Sequence, residues 1–127
     1  MTSGKQLLDE LIAGSVDPAA FSHRNHVAAA FAALDEYEFF EALALYAKGL
    51  RTLTEIAGVP EKYNATLTMG FMSLIAEAKA AHPEKSVDDL IATCAEISSP
   101  GALTSKFSAE RLNGPLTRSI GLLPDRA

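Results

Sequence analysis

The sequence predicts an all-α protein: one helical domain over residues 1–127, with four or five main helices, short loops and a partly irregular C-terminal segment. Three observations lead there. Alanine and leucine are abundant and Trp is absent, a composition that favours helix by intrinsic propensity. Apolar residues recur at steps of three and four, the spacing of one helix face. Runs of alternating β-branched residues, the signature of half-buried strands, are missing.

The first helix is expected over Gly4–Ala13, with Leu7, Leu8, Leu11 and Ile12 on one face. Gly14-Ser15 stops it, and Asp17-Pro18 begins a turn or a short helical lead-in. Ser22 is placed to cap a second helix that runs to about Asp35, with the stripe Val27, Ala30, Phe31 and Leu34. Phe39, Leu43, Tyr46, Leu50, Leu53 and Ala57 form the stripe of a third helix, ended by Gly58 and Pro60. A fourth starts near Asn64 or Thr66 and continues to Ala81, with Leu67, Phe71, Leu74, Ile75 and Ala78 on its apolar face. Ser86-Val87-Asp88-Asp89 resembles a capping box and opens a fifth, which carries Val87, Leu90, Ile91, Cys94 and Ile97. Beyond Ser99-Pro100-Gly101 the periodicity weakens, and only a short helix from Ser108 through Leu112 is expected.

A chain of 127 residues with 48% hydrophobic and 21% charged residues suits a single globular core. The net charge is −5, and the 11 Lys and Arg residues do not cluster. That argues against nucleic acid and anionic membrane as partners, since both need a basic surface. No apolar run approaches the roughly 18 residues of a membrane span. One cysteine, Cys94, forms no internal disulfide and suits a reducing compartment; a cytoplasmic location is expected.

Chemistry concentrates first at Phe21-Ser22-His23-Arg24-Asn25-His26. His23 and His26 lie three apart, so a helix points both rings the same way. Counting back four from Val27 and Ala30 places both on the buried stripe. The first turn of a helix disfavours imidazolium, and neutral imidazole can accept a proton or a ligand. These two are the candidate catalytic residues, one of them as general base near neutral pH; the alternative is that both rings only bond structurally. A metal site is not expected, because His82 beside Pro83 makes a poor third ligand. No cofactor motif occurs: a P-loop, a dinucleotide glycine fingerprint, His-Glu-x-x-His and Glu-x-x-His are all absent.

A second constellation is Lys62-Tyr63-Asn64-Ala65-Thr66-Leu67-Thr68. Hydroxyls and an amide beside free backbone N–H groups suit an anion or a carboxylate, and ordinary capping by Asn64 or Thr66 is the plainer alternative. Tyr63, Asn64 and Thr66 are the candidate ligand-binding rim. Arg51 is either ion-paired with Glu55 one turn on or turned inward as a counter-charge to an acidic ligand. Tyr46 and Cys94 are expected to pack in the core.

Taken in order, these segments resemble a group of small all-helical bacterial proteins without an assigned activity. The shared pattern is aromatic-x-His-x-x-His, Gly-Leu-Arg, Tyr-His-x-Thr-x-Thr, and aromatic-Ser-x-x-x-Leu before Leu-Pro. Here it is met by Phe21 to His26, Gly49-Leu50-Arg51, Tyr63 to Thr68, Phe107 to Leu112, and Leu123-Pro124. The resemblance implies a histidine at 64, an aspartate at 25 and a tyrosine at 107, where this chain has Asn64, Asn25 and Phe107. It implies a helical fold with a pocket and no particular reaction. The expected function is binding of a small polar or acidic molecule between helices. The alternative is a non-catalytic helical module or homodimer, meeting a second copy through Ala28, Ala29, Ala32 and Ala33.

Overall fold

The computed structural model describes residues 3–98 and 100–126, and all regular structure among them is helical. The helices are α1 (Gly4–Ala13), α2 (His23–Glu36), α3 (Phe39–Ile56), α4 (Ala65–Ala81), α5 (Val87–Thr93), α6 (Ala95–Ser98), α7 (Pro100–Thr104) and α8 (Ala109–Asn113). Short 3-10 turns at Pro18–Ala20 and Pro60–Lys62 precede α2 and α4. None of the described helices is long and apolar enough to cross a membrane.

Local chemistry accounts for most boundaries. The Ser22 hydroxyl accepts from the Asn25 N–H at 3.2 Å and starts α2. Glu38 does the same for α3 through the Glu41 N–H at 2.8 Å. At Ser86 a full capping box forms, with Asp89 in the place usually taken by Glu. Gly14 ends α1 with φ 71°, the left-handed conformation that glycine adopts without a Cβ clash.

Helix α2 sits at the centre and touches α1, α3, α4 and α5. Its middle is built from Val27, Ala28, Ala29, Ala30 and Ala33, all buried. Small side chains there let the neighbouring backbones approach closely. A Cβ at Gly4 of α1 would meet the Ala28 carbonyl oxygen at 2.6 Å. The alanine face expected to receive a second copy is therefore corrected. Ala28, Ala29 and Ala33 lie inside the chain, and α1 lies against Ala28 and Ala32. Gly49 plays the same part between α1 and α3, where an added Cβ would sit 2.5 Å from Leu11 Cγ.

Two other expectations change. The fifth helix does not run through to Ile97: Cys94 leaves helical geometry at φ −104°, ψ 100°, and α6 starts afresh. No glycine or proline marks that break. The turn instead seats Ile97 in the core and brings a helix-end carbonyl towards α2. The stretch from Pro100 is helical as α7, and Leu103 within it and Phe107 beyond it are buried.

Candidate functional site

A cavity of about 600 Å³ opens where the start of α2, the second half of α3, the start of α4 and the α6–α7 stretch converge. Its walls are mostly apolar, supplied by Phe21, Leu50, Leu53, Leu67, Phe71 and Leu103. A few polar groups face into it, among them His23, His26, Tyr63 and Asn64. Apolar walls with a few fixed polar groups are the usual make-up of a small-molecule site.

Of the two rings expected on the buried stripe, only His26 turns inward. It stands edge-on to Phe21, with ring centroids 4.7 Å apart. Its Nδ1 lies 3.3 Å from the hydroxyl of Tyr46, a side chain buried in the core. That hydroxyl is buried and has no other partner among the described residues, so donation to Nδ1 is the arrangement that leaves no buried O–H unpaired. His26 then carries its proton on Nε2. Burial pushes its pKa down to about 4, and the nearby His23 adds a smaller push in the same direction. At neutral pH the ring is therefore uncharged. Burial likewise raises the Tyr46 phenol above its ordinary value, so it stays protonated and able to donate.

His23 is exposed. Its Nε2 lies 3.0 Å from the Ile97 carbonyl. A carbonyl only accepts, so Nε2 carries the proton and donates. This satisfies one of the carbonyls that the short α6 leaves without an intrahelical partner. His23 thus ties α2 to α6, its ring 5.9 Å from that of Phe71, and Nδ1 is its unbonded nitrogen.

The anion site expected at the start of α4 is already filled by the chain itself. The N–H groups of Ala65 and Thr66 donate to the carbonyls of Arg118 and Thr117 at 3.1 and 3.0 Å. Asn64 Oδ1 takes the Leu67 N–H at 3.0 Å and the Thr117 hydroxyl at 3.2 Å. Thr66 does not reach the cavity: it is buried, donating to the Ile120 carbonyl and accepting from the Leu122 N–H, both at 3.0 Å. The C-terminal segment lies over the helix start and uses the groups a ligand would need.

Asn64 nevertheless keeps one free end. Its oxygen is held by two donors, which sets the amide so that Nδ2 is the other terminus. No polar side-chain atom of a half-buried residue is both sealed and unbonded among the described residues. The unbonded Nε2 of His26 and Nδ2 of Asn64 are therefore accessible, on two residues that line the cavity. Both are donors.

Arg51 forms no ion pair with Glu55. Its guanidinium lies over the Tyr63 ring, 5.6 Å from the centroid, and Nη1 donates to the Tyr63 hydroxyl at 3.5 Å. It stands behind Tyr63 rather than on the cavity wall. No group of three or more His, Cys, Asp or Glu side chains converges among the described residues. Two contributors escaped the sequence reading. Tyr46 was placed in the core as a packed ring, although a phenol on a buried stripe needs a polar partner and a histidine was near to hand. Lys62 lines the cavity, although within its segment only Tyr63, Asn64 and Thr66 were expected at the rim.

No known family model matches the chain, and neither a curated protein nor a solved structure matches it.

Proposed function

We propose that the cavity binds a small polar or acidic molecule, with His26 as its principal polar contact. The observation that carries this reading is the His26–Tyr46 pair. A core hydroxyl holds Nδ1 and burial keeps the ring neutral, so one N–H is left for a ligand in a mostly apolar cavity. Asn64 and Tyr63 supply further polar contacts, and Arg51 acts through Tyr63.

Proton transfer to a bound molecule would fall to His23, whose Nδ1 is the unbonded acceptor, while His26 steadies an oxygen. The roles of the two rings then differ. The likeness to the small helical bacterial proteins fits a pocket at this place, with Asn64 capping α4 where a histidine was expected. The rival reading, a self-associating helical module, loses its alanine surface because the chain covers it. Under our reading the protein is a single helical domain working in the cytoplasm, where the Cys94 thiol stays reduced.

A thermal-shift screen of small carboxylic acids, alcohols, ketones and amines tests the proposal. Compounds that stabilise the wild type should lose most of that effect in His26→Gln. A set that stabilises wild type and His26→Gln equally removes His26 from the site.

A further inference from the structure

Building on the reading of the cavity as a binding site, we propose the chemical class of its occupant. It is a monocarboxylic acid with an apolar body, its carboxylate held by His26, Asn64 and Lys62.

The polarity of three groups that line the cavity carries the argument. His26 offers Nε2–H because Tyr46 holds the other nitrogen. Asn64 offers Nδ2–H because Leu67 and Thr117 hold its oxygen. Lys62, two residues before Asn64, lines the same cavity and makes no ion pair among the described residues. The Thr68 and Thr54 hydroxyls do not add donors, whereas the Tyr63 hydroxyl, which accepts from Arg51, keeps its hydrogen to give. Thr68 gives its hydrogen to the Asn64 carbonyl at 2.7 Å, and Thr54 gives its own to the Arg51 carbonyl at 2.9 Å.

Two fixed N–H groups and one ammonium call for an oxygen-rich acceptor, and the lysine favours one with negative charge. An amine would gain nothing from these three donors and would have to turn to the Glu96 carboxylate or to His23 Nδ1 elsewhere on the lining. An alcohol satisfies fewer donors and gains nothing from the lysine. The carboxylate Glu96 lines the cavity from α6, which keeps a second negative group from being welcome there. The rest of the ligand faces Leu50, Leu53, Leu67 and Phe71, so its body is hydrocarbon or aromatic. A cavity of about 600 Å³ is large enough for such a molecule.

The test uses three probes that differ only in head group: octanoate, octan-1-ol and octylamine, each below its aggregation range. They are titrated into the full chain labelled with nitrogen-15, following the amides of Leu67 and Phe71. Octanoate should bind about tenfold more tightly than the other two, the gain expected of charge-assisted hydrogen bonds.

Asn64→Asp is the decisive variant. Aspartate keeps the helix cap but replaces the donating amide with a carboxylate. It should weaken octanoate by about tenfold or more and leave octan-1-ol unchanged, as like charges in a partly dry site repel. Lys62→Gln should weaken octanoate by a smaller factor.

Octan-1-ol or octylamine binding as tightly as octanoate overturns the head-group assignment while leaving the cavity as a binding site. So does octanoate bound equally by wild type and Asn64→Asp. If none of the three probes shifts the Leu67 and Phe71 amides, the binding site itself fails and the assignment falls with it.

Discussion

The phenol of Tyr46 on α3 and the imidazole of His26 on α2, 20 residues apart in sequence, meet through a hydrogen bond of 3.3 Å at the base of the cavity. The contact fixes which ring nitrogen carries a proton and so gives the site its polarity. In Tyr46→Phe, the buried Nδ1 loses its only donor. Stability should fall by about 1–3 kcal/mol, the cost of leaving such a group unpaired, as read by urea denaturation. Nitrogen-15 NMR of the wild-type ring should show Nε2 protonated and Nδ1 bare at pH 7.

His26 also sets a pH dependence. Its pKa is lowered to about 4 in the fold, from an ordinary value of 6.5. Above 6.5 both folded and unfolded chains hold it neutral, and it contributes nothing to the slope. Between 6.5 and about 4 only the unfolded chain binds the proton, so stability falls as the pH falls. The full span is at most about 3 kcal/mol. Urea midpoints for His26→Gln should decline less steeply than wild type over that window; parallel curves would show that other groups set the slope.

Gly49→Ala separates helix propensity from packing. Alanine is the better helix former by about 1 kcal/mol. Yet its Cβ would lie 2.5 Å from Leu11 Cγ, near the root of a buried side chain on α1. Overpacking should prevail, with a net loss of about 1–2 kcal/mol in chemical denaturation.

Thr66→Val tests the hold of the C-terminal segment on α4. Valine fills the same space but removes both hydrogen bonds, leaving the Ile120 carbonyl and the Leu122 N–H without their partner. A loss of about 1–3 kcal/mol is expected. Amide exchange should speed up at Leu122 and at Ala65 and Thr66, whose N–H groups donate into the same segment.

The helical class was legible because its signals are short-ranged. Ser22, Ser86 and Ser108 cap the helices they were expected to cap, since each bond spans three residues and depends on little else. The Asn64 cap, offered as the plain alternative to an anion site, is the one that forms. Leu8, Val27, Tyr46 and Ile75 of the expected stripes are buried, because periodicity is a property of the helix alone, but Ile12 and Ala57 are exposed and α4 buries Met72, outside its expected stripe.

The site was less legible. Spacing alone put His23 and His26 on one face, but spacing cannot say how deep a helix end lies. His23 stays at the surface because its partner is a carbonyl 74 residues away. Thr66 looked like part of a rim and is sealed by residues more than 50 positions downstream. The break at Cys94 has no local breaker.

By itself, the amino-acid order determined that the chain is helical, where most helices start and stop, and that two imidazoles open the second one. Each of those depends on contacts within one or two turns. Only the packed structure decided which imidazole is half-buried and which exposed, which nitrogen bears its proton, and that the fourth helix start is closed by the chain's own C-terminal segment. Those outcomes depend on groups brought together across 20 to 74 residues, where burial and long-range hydrogen bonding override what any local pattern can state.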